Sequence, residues 1–94
     1  MTIVVSPQAG KDLREAYEYI LKDNPSAADR VLAHIVGVIG MLASEAVMGR
    51  EVLLRDGRWV KTWPVPPYRI YYRVSGQELQ VVRVYHQARR PIER

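Results

Sequence analysis

Tyr68-Arg69-Ile70-Tyr71-Tyr72-Arg73-Val74 is the stretch around which the chain is organised. Aromatic and β-branched side chains alternate there with arginines, the two-residue period of a strand. Leu79-Gln80-Val81-Val82-Arg83-Val84-Tyr85 reads the same way, and the turn Ser75-Gly76-Gln77-Glu78 joins the two runs into a hairpin. Everything before the hairpin is material to cover one of its faces. Just after it, His86 to Arg90 hold the one compact cluster of reactive side chains.

Working back toward the N-terminus, Arg58-Trp59-Val60-Lys61-Thr62-Trp63 is a further strand, ended by Pro64, Pro66 and Pro67. Asp56-Gly57 connects it to a strand at Arg50–Arg55 as a two-residue turn, with positive φ expected at both central residues. Upstream of these the period becomes helical. Ser6 is a cap and Pro7 the first residue of a helix running to about Lys22, with Ala9, Leu13, Ala16, Tyr17, Ile20 and Leu21 on its apolar stripe. Asn24 and Pro25 start a second helix, whose main stripe is Ala28, Val31, Leu32, Ile35, Val38, Ile39, Leu42 and Ala46. Gly49 lies near its end. Thr2-Ile3-Val4-Val5 is a first, short strand. The order β-α-α-β-β-β-β implies an α+β fold: a helical hairpin packed on one face of a mostly antiparallel sheet, with residues 1–94 forming one domain.

The second helix is apolar on most sides. Between Val31 and Ala43 only His34 is polar, and Gly37 and Gly40 each cost about 1 kcal/mol relative to alanine in a helix. Two readings follow: an oligomer or partner contact on its outer side, or a position deep between the other helix and the sheet.

Composition narrows the function classes. A chain of this length buries roughly 60–65% of its unfolded surface, enough for a modest core. Its 48% hydrophobic content argues against wholesale disorder. The absence of cysteine excludes a disulfide framework and thiolate chemistry. Two histidines without paired carboxylates give no metal ligand set, and no cofactor is expected. The first residues lack the pattern of a signal peptide, and the apolar run Val31 to Ala43 reads as too short to span a bilayer, so a cytoplasmic location is expected, with no membrane partner. Net charge is +4, and from Arg50 onward nine arginines and Lys61 face four acidic residues. That excess favours an acidic partner, either nucleic acid or an acidic protein segment.

Strand parity sorts the side chains. Val60, Thr62, Ile70, Tyr72, Val74, Val82, Val84 and His86 are expected beneath the helices. Trp59, Lys61, Trp63, Arg69, Tyr71, Arg73, Val81, Arg83 and Tyr85 are expected on an opposite face that nothing else in the chain covers. Aromatic and cationic groups together suit stacked bases and phosphates, or an acidic or amphipathic protein segment.

The ordered set Ser6-Pro7-Gln8-Ala9 with Asp12-Leu13, Tyr19-Ile20, Asn24-Pro25-Ser26-Ala27-Ala28, Leu42, Gly49-Arg50, Arg58, Tyr68-Arg69-Ile70-Tyr71-Tyr72-Arg73 and Val84-Tyr85-His86 with Arg89-Arg90 resembles the ParE branch of the RelE/ParE toxin superfamily. The resemblance spans almost the whole chain. It implies the toxin of a type II toxin–antitoxin operon, neutralised by a cognate antitoxin of ribbon-helix-helix type with an acidic C-terminal segment. It also implies operator DNA binding only through the toxin–antitoxin complex, and a homodimer or a heterotetramer with antitoxin as possible assemblies. ParE-like members are described as non-catalytic inhibitors of DNA gyrase that serve plasmid or chromosome maintenance. RelE-like members are ribosome-dependent messenger-RNA endonucleases, and under that alternative Arg69, His86 and Arg89 are the catalytic candidates. The position after His86, often tyrosine in those nucleases, is Gln87, which cannot act as a general acid or base. A third reading is an inactive remnant that only binds antitoxin. For antitoxin or target the candidates are Trp59, Lys61, Trp63, Arg69, Tyr71, Arg73, Arg83, Tyr85, Arg89 and Arg90.

Overall fold

The computed structural model describes residues 1–94. The elements in chain order are β1 (Thr2–Val5), α1 (Pro7–Asp23), α2 (Pro25–Ala43), β2 (Arg50–Leu53), β3 (Trp59–Val65), β4 (Tyr68–Ser75) and β5 (Glu78–His86). The five strands form one sheet in the order β1-β5-β4-β3-β2, with β1 parallel to β5 and the other pairs antiparallel. The β4–β5 hairpin is therefore its centre, as the alternating stretch implied.

Local chemistry sets the helix starts. Ser6 Oγ accepts the Ala9 N–H at 3.0 Å and donates to the Val82 carbonyl at 3.0 Å, so one hydroxyl caps α1 and fastens it to β5. Asn24 Oδ1 accepts the Ala27 N–H and starts α2 one residue after α1 ends. The two helices lie on one face of the sheet. Ala9, Ile35, Val38, Ile39 and Leu42 meet Val65, Tyr68, Ile70, Tyr72, Leu79, Val81 and Val84 in the main core.

Several boundaries differ from expectation. α2 ends at Ala43, leaving Ala46 exposed, and the positive-φ residue after it is Glu45 (φ 63°), not Gly49. Gly49 serves a close approach instead: a Cβ there would collide with the Thr62 carbonyl, and its N–H donates to Tyr72 Oη at 2.7 Å. β2 stops at Leu53, and only Gly57 of the Asp56-Gly57 pair has positive φ, because Asp56 accepts from the Arg58 backbone N–H in a wider turn. β3 does not end at Pro64. It runs through Pro64 to Val65, with Pro64 exposed opposite Arg69.

The expected face assignment fails for β3 and part of β5. The register sets Trp63 opposite Ile70 and Val65 opposite Tyr68, which inverts the expected parity of β3. Trp63 packs toward the helices, while Val60 and Thr62 belong to the other face. In β5 the register slips at Val82: Tyr71 is opposite Arg83, and Tyr72 is opposite Val81. Val82 is the extra residue of a β-bulge and turns away from the helices, placing Val81 in the main core. Val74, expected to be covered, is exposed.

The second face is not open either. Val52, Leu54, Val60, Tyr71 and Val82 form a smaller core there, with Tyr85 and Ile92 packed against it. The C-terminal residues fold back over it. Arg55 N–H donates to the Ile92 carbonyl at 2.7 Å, Arg94 N–H to the Leu53 carbonyl at 2.9 Å, and Leu54 bridges Glu93. These C-terminal residues form a strap that covers part of one sheet face and occupies the β2 edge.

α2 also departs from expectation. Its 19 residues are long and apolar enough, by length and composition, to cross a membrane. Its inward side, Ile35, Val38, Ile39 and Leu42, is nevertheless built into the domain core, and its outer side is exposed. It does not lie deep between α1 and the sheet.

Candidate functional site

Two clefts flank the C-terminal end of β5, one on each side of the sheet. The first, of about 510 Å³, lies on the α1 side and is lined chiefly by Glu15, Glu18, Tyr19, Tyr68, His86 and Arg89. The second, of about 400 Å³, lies beneath the strap and includes Arg69, Tyr71, Tyr85, Gln87, Arg89 and Arg94. Arg89 reaches both.

The sheet register explains the split. Tyr68 is opposite His86, and Arg69 is opposite Tyr85. Adjacent residues of one strand face opposite sides, so Arg69 and His86 are separated by the sheet itself. His86 stands edge-on to Tyr68, with ring centroids 5.1 Å apart, and its Nδ1 accepts the Ala88 N–H at 3.0 Å. Arg69 donates to Thr62 Oγ1 at 3.3 Å and has no carboxylate partner. Arg69 and His86 are thus kept apart, as strand parity implied, while Arg89 shares the first cleft with His86 and is the cation on the side where that imidazole stands.

The expected cationic–aromatic surface also divides. Lys61 and Trp63 share the helix side of β3, with Lys61 Nζ 3.3 Å from Met48 Sδ and Trp63 partly buried against the core. Trp59, on the same side of the strand, is 64% exposed. Arg69, Tyr71 and Arg73 lie on the far side of β4, where Arg73 is held by Gln80 at 2.9 Å. Tyr71 is buried there and donates to Glu93 Oε2 at 2.7 Å. Burial, more than that neighbouring carboxylate, raises its phenol well above its ordinary value. Tyr85 Oη donates to the Arg90 carbonyl at 2.6 Å, pinning the start of the strap. Arg89 and Arg90 are exposed, with Arg89 Nη2 3.9 Å from Glu15.

Arg83 is not free for a partner. Its Nε and Nη2 meet the two Asp12 carboxylate oxygens at 2.8 and 3.0 Å, and its guanidinium lies 5.0 Å from the Tyr85 ring centroid. Donating these bonds to the Asp12 carboxylate pushes the Arg83 pKa higher still. Asp12 also accepts the Val84 N–H at 3.0 Å, just where β1 no longer pairs with β5. Sequence reasoning left Asp12 without a role. The signal was its place among Ala9, Leu13 and Ala16: a carboxylate within an apolar stripe requires a buried partner. No three histidine or carboxylate side chains gather in a way that would hold a metal ion.

This geometry has known counterparts. Residues 3–91 match the model of the family described as ParE toxin of type II toxin-antitoxin system, parDE. The chain belongs to the ParE toxin family. A Sinorhizobium fredii protein named as toxin Y4kP is 34% identical over 84% of this chain and 80% of its own length. Toxin RelE3 of Caulobacter vibrioides is 26% identical over 95% of this chain and 97% of its own. Among solved structures, a chain of the chromosomal ParDE toxin–antitoxin system of P. aeruginosa superposes with a TM-score of 0.75 at 23% identity, covering 92% of this chain and 95% of that one. A chain of the YoeB dimer of Staphylococcus aureus gives a TM-score of 0.57 at 15% identity, with the same coverage of each chain. These two likenesses show a shared α+β fold.

Proposed function

We propose that this ParE-family toxin acts by binding rather than by catalysis, with DNA gyrase as its target in the cytoplasm. The observation that carries this reading is the separation of Arg69 from His86 by the sheet, with Gln87 where an acid or base would be required. Neutralisation is by a cognate antitoxin of ribbon-helix-helix type. Its acidic C-terminal segment is drawn to the arginines that have no carboxylate partner, notably Arg69 and Arg73, and to exposed Arg89 and Arg90. The P. aeruginosa ParDE system supports an antitoxin partner, since its toxin-like chain shares this fold.

The test is a supercoiling assay with purified gyrase and this chain, run with message integrity followed during expression in cells. The expected result is blocked supercoiling or a stabilised cleaved complex, with transcripts intact. Rapid transcript cleavage that disappears in His86→Ala and Arg69→Ala would establish the ribosome-dependent nuclease instead. A chain that is not toxic when expressed alone would be the antitoxin-binding remnant.

A further inference from the structure

One buried tyrosine has a hydroxyl that nothing in the chain meets. The other two buried tyrosines place theirs in hydrogen bonds, Tyr71 with Glu93 and Tyr72 with the Gly49 N–H. Tyr68 is 6% exposed, yet its hydroxyl has no such partner. No fully enclosed side-chain nitrogen or oxygen is left unpaired, so this hydroxyl is reached from outside, through the cleft of about 510 Å³ that Tyr68 lines between α1 and the end of β5. An unmet phenol in a cleft of that size lets a small ligand gain a hydrogen bond without breaking one inside the chain. We propose that this cleft binds a nucleoside monophosphate, with Tyr68, His86 and Arg89 on the phosphate side and Glu15, Glu18 and Tyr19 on the nucleoside side.

The donors stand where the chain leaves β5. His86 Nδ1 accepts the Ala88 N–H at 3.0 Å, which leaves the proton of the neutral ring on Nε2, free to donate. Arg89 is 58% exposed, and its ion-pair partner Glu15 is 3.9 Å away, too far for a hydrogen bond. Burial holds the Tyr68 phenol above its ordinary value, so it stays protonated and able to donate at neutral pH, with Arg89 near enough to oppose part of that rise. Three uncommitted donors, one of them a guanidinium, suit the several oxygens of a phosphate.

The opposite wall is α1. Glu15, Glu18, Tyr19 and Lys22 line the cleft at spacings of three and four residues, which is one helix face. Asp12 is already held by Arg83, so two carboxylates remain to face the cations Arg89 and Lys22. A bare anion meets those carboxylates, and a bare cation meets Arg89 and Lys22. The lining favours a ligand with acceptors at one end and hydroxyl donors at the other. A ribose phosphate has both, because a carboxylate accepts the hydrogens of sugar hydroxyls. Tyr19 is 72% exposed and offers a ring face on which a base stacks. Glu15 to Tyr19 spans about 6 Å along the helix, the scale of phosphate, sugar and base in succession. Arg69, the cation expected to hold RNA phosphate, lies on the other side of the sheet, so this cleft is separate from the nuclease alternative. It is also independent of the target proposed above, which the supercoiling assay reads.

The experiment is isothermal titration calorimetry of the full chain with adenosine, guanosine, cytidine and uridine monophosphates in separate runs, beside inorganic phosphate, the matching nucleosides and a short single-stranded RNA. At least one monophosphate is expected to bind with a dissociation constant of about 10–500 µM, about tenfold tighter than phosphate or its nucleoside alone. Tyr68→Phe keeps the ring and removes the hydroxyl. It should weaken the nucleotide about 3–10-fold with its melting temperature retained, since that hydroxyl holds nothing in the chain. Arg89→Ala should reduce the nucleotide to the affinity of its nucleoside. Glu18→Gln should weaken the ribonucleotide relative to its dideoxy analogue, which lacks both sugar hydroxyls. Absence of monophosphate binding up to about 1 mM overturns the proposal, as does an affinity unchanged in Tyr68→Phe. Inorganic phosphate binding as tightly as the nucleotide would make this a plain anion site, and RNA binding more tightly would make it a nucleic-acid surface; either result overturns the mononucleotide.

Discussion

Asp12 on α1 and Arg83 on β5, 71 positions apart, form a two-pronged ion pair whose carboxylate also caps the Val84 N–H. It lies where β1 leaves the edge of β5, so a helix side chain finishes the ladder that a strand began. Both partners are largely withdrawn from water, with side-chain exposures of 20% for Arg83 and 4% for Asp12. Breaking such a pair leaves an uncompensated charge. Asp12→Ala is therefore expected to lose about 3–5 kcal/mol, read from the shift of the urea midpoint. Asp12→Ala with Arg83→Met should regain part of that loss, because no charge is left stranded. Equal stability of the single and double variants would show that the pair is not coupled.

Gly49 tests the seam between α2 and the sheet. An added Cβ would run into the backbone of Thr62, which cannot swing aside, and would strain the hydrogen bond to Tyr72 Oη. Gly49→Ala should cost about 2–3 kcal/mol by equilibrium denaturation. Gly37→Ala, which meets nothing, should raise stability by about 0.5–1 kcal/mol when measured on dilute protein.

Tyr71 makes stability fall in alkali. Its folded pKa lies above the ordinary value of 10.0, chiefly through burial and secondly through its bond to Glu93. The folded state therefore keeps a proton that the unfolded state releases. That contribution is fully present below about pH 10, and it is lost as pH rises from there toward the folded value. Thermal melts between pH 9 and 11.5 should decline less steeply in Tyr71→Phe than in wild type. Some decline should remain, because Tyr68 is also shifted upward, mainly by burial.

The strap contributes to stability on the face away from the helices. Ile92 packs on Val52, Leu54, Val60, Tyr71 and Val82, and the strap's backbone bonds reach Leu53 and Arg55. Ile92→Ala should lose about 1–2 kcal/mol, the lower end for a partly buried aliphatic side chain. Native-state hydrogen exchange should quicken at the Arg55 and Arg94 amides and stay unchanged at Asn24, whose N–H is bonded to Ile20 at the far end of the helices.

The helical elements were legible because their signals are local. Ser6-Pro7 and Asn24-Pro25 start both helices where the hydroxyl and amide caps are found. The central hairpin was legible because β-branched and aromatic residues alternate through it. The place of the C-terminal residues was not legible. Nothing in Pro91-Ile92-Glu93-Arg94 announces that Glu93 meets Tyr71, which lies 22 positions earlier.

The candidate site was legible in its parts and not in its arrangement. Arg69, His86 and Arg89 were found by residue type, and strand parity already set Arg69 and His86 on opposite faces. What parity did not give was the register of β3, which puts Trp63 rather than Thr62 beside Ile70, and the extra residue at Val82. A one-residue change of register or an extra residue turns side chains to the opposite face, since the strand period is two residues.

By itself the sequence determined the element order, the helix caps, the central strands and the resemblance to ParE toxins. These rest on short-range sterics, hydrogen bonding and hydrophobic period, which act within a few residues. The tertiary structure alone decided that Trp63 turns toward the helices and Val82 away from them, that Arg83 is held by Asp12, and that α2 turns an uncharged face outward. Those depend on register and on contacts across the chain, which no local pattern encodes.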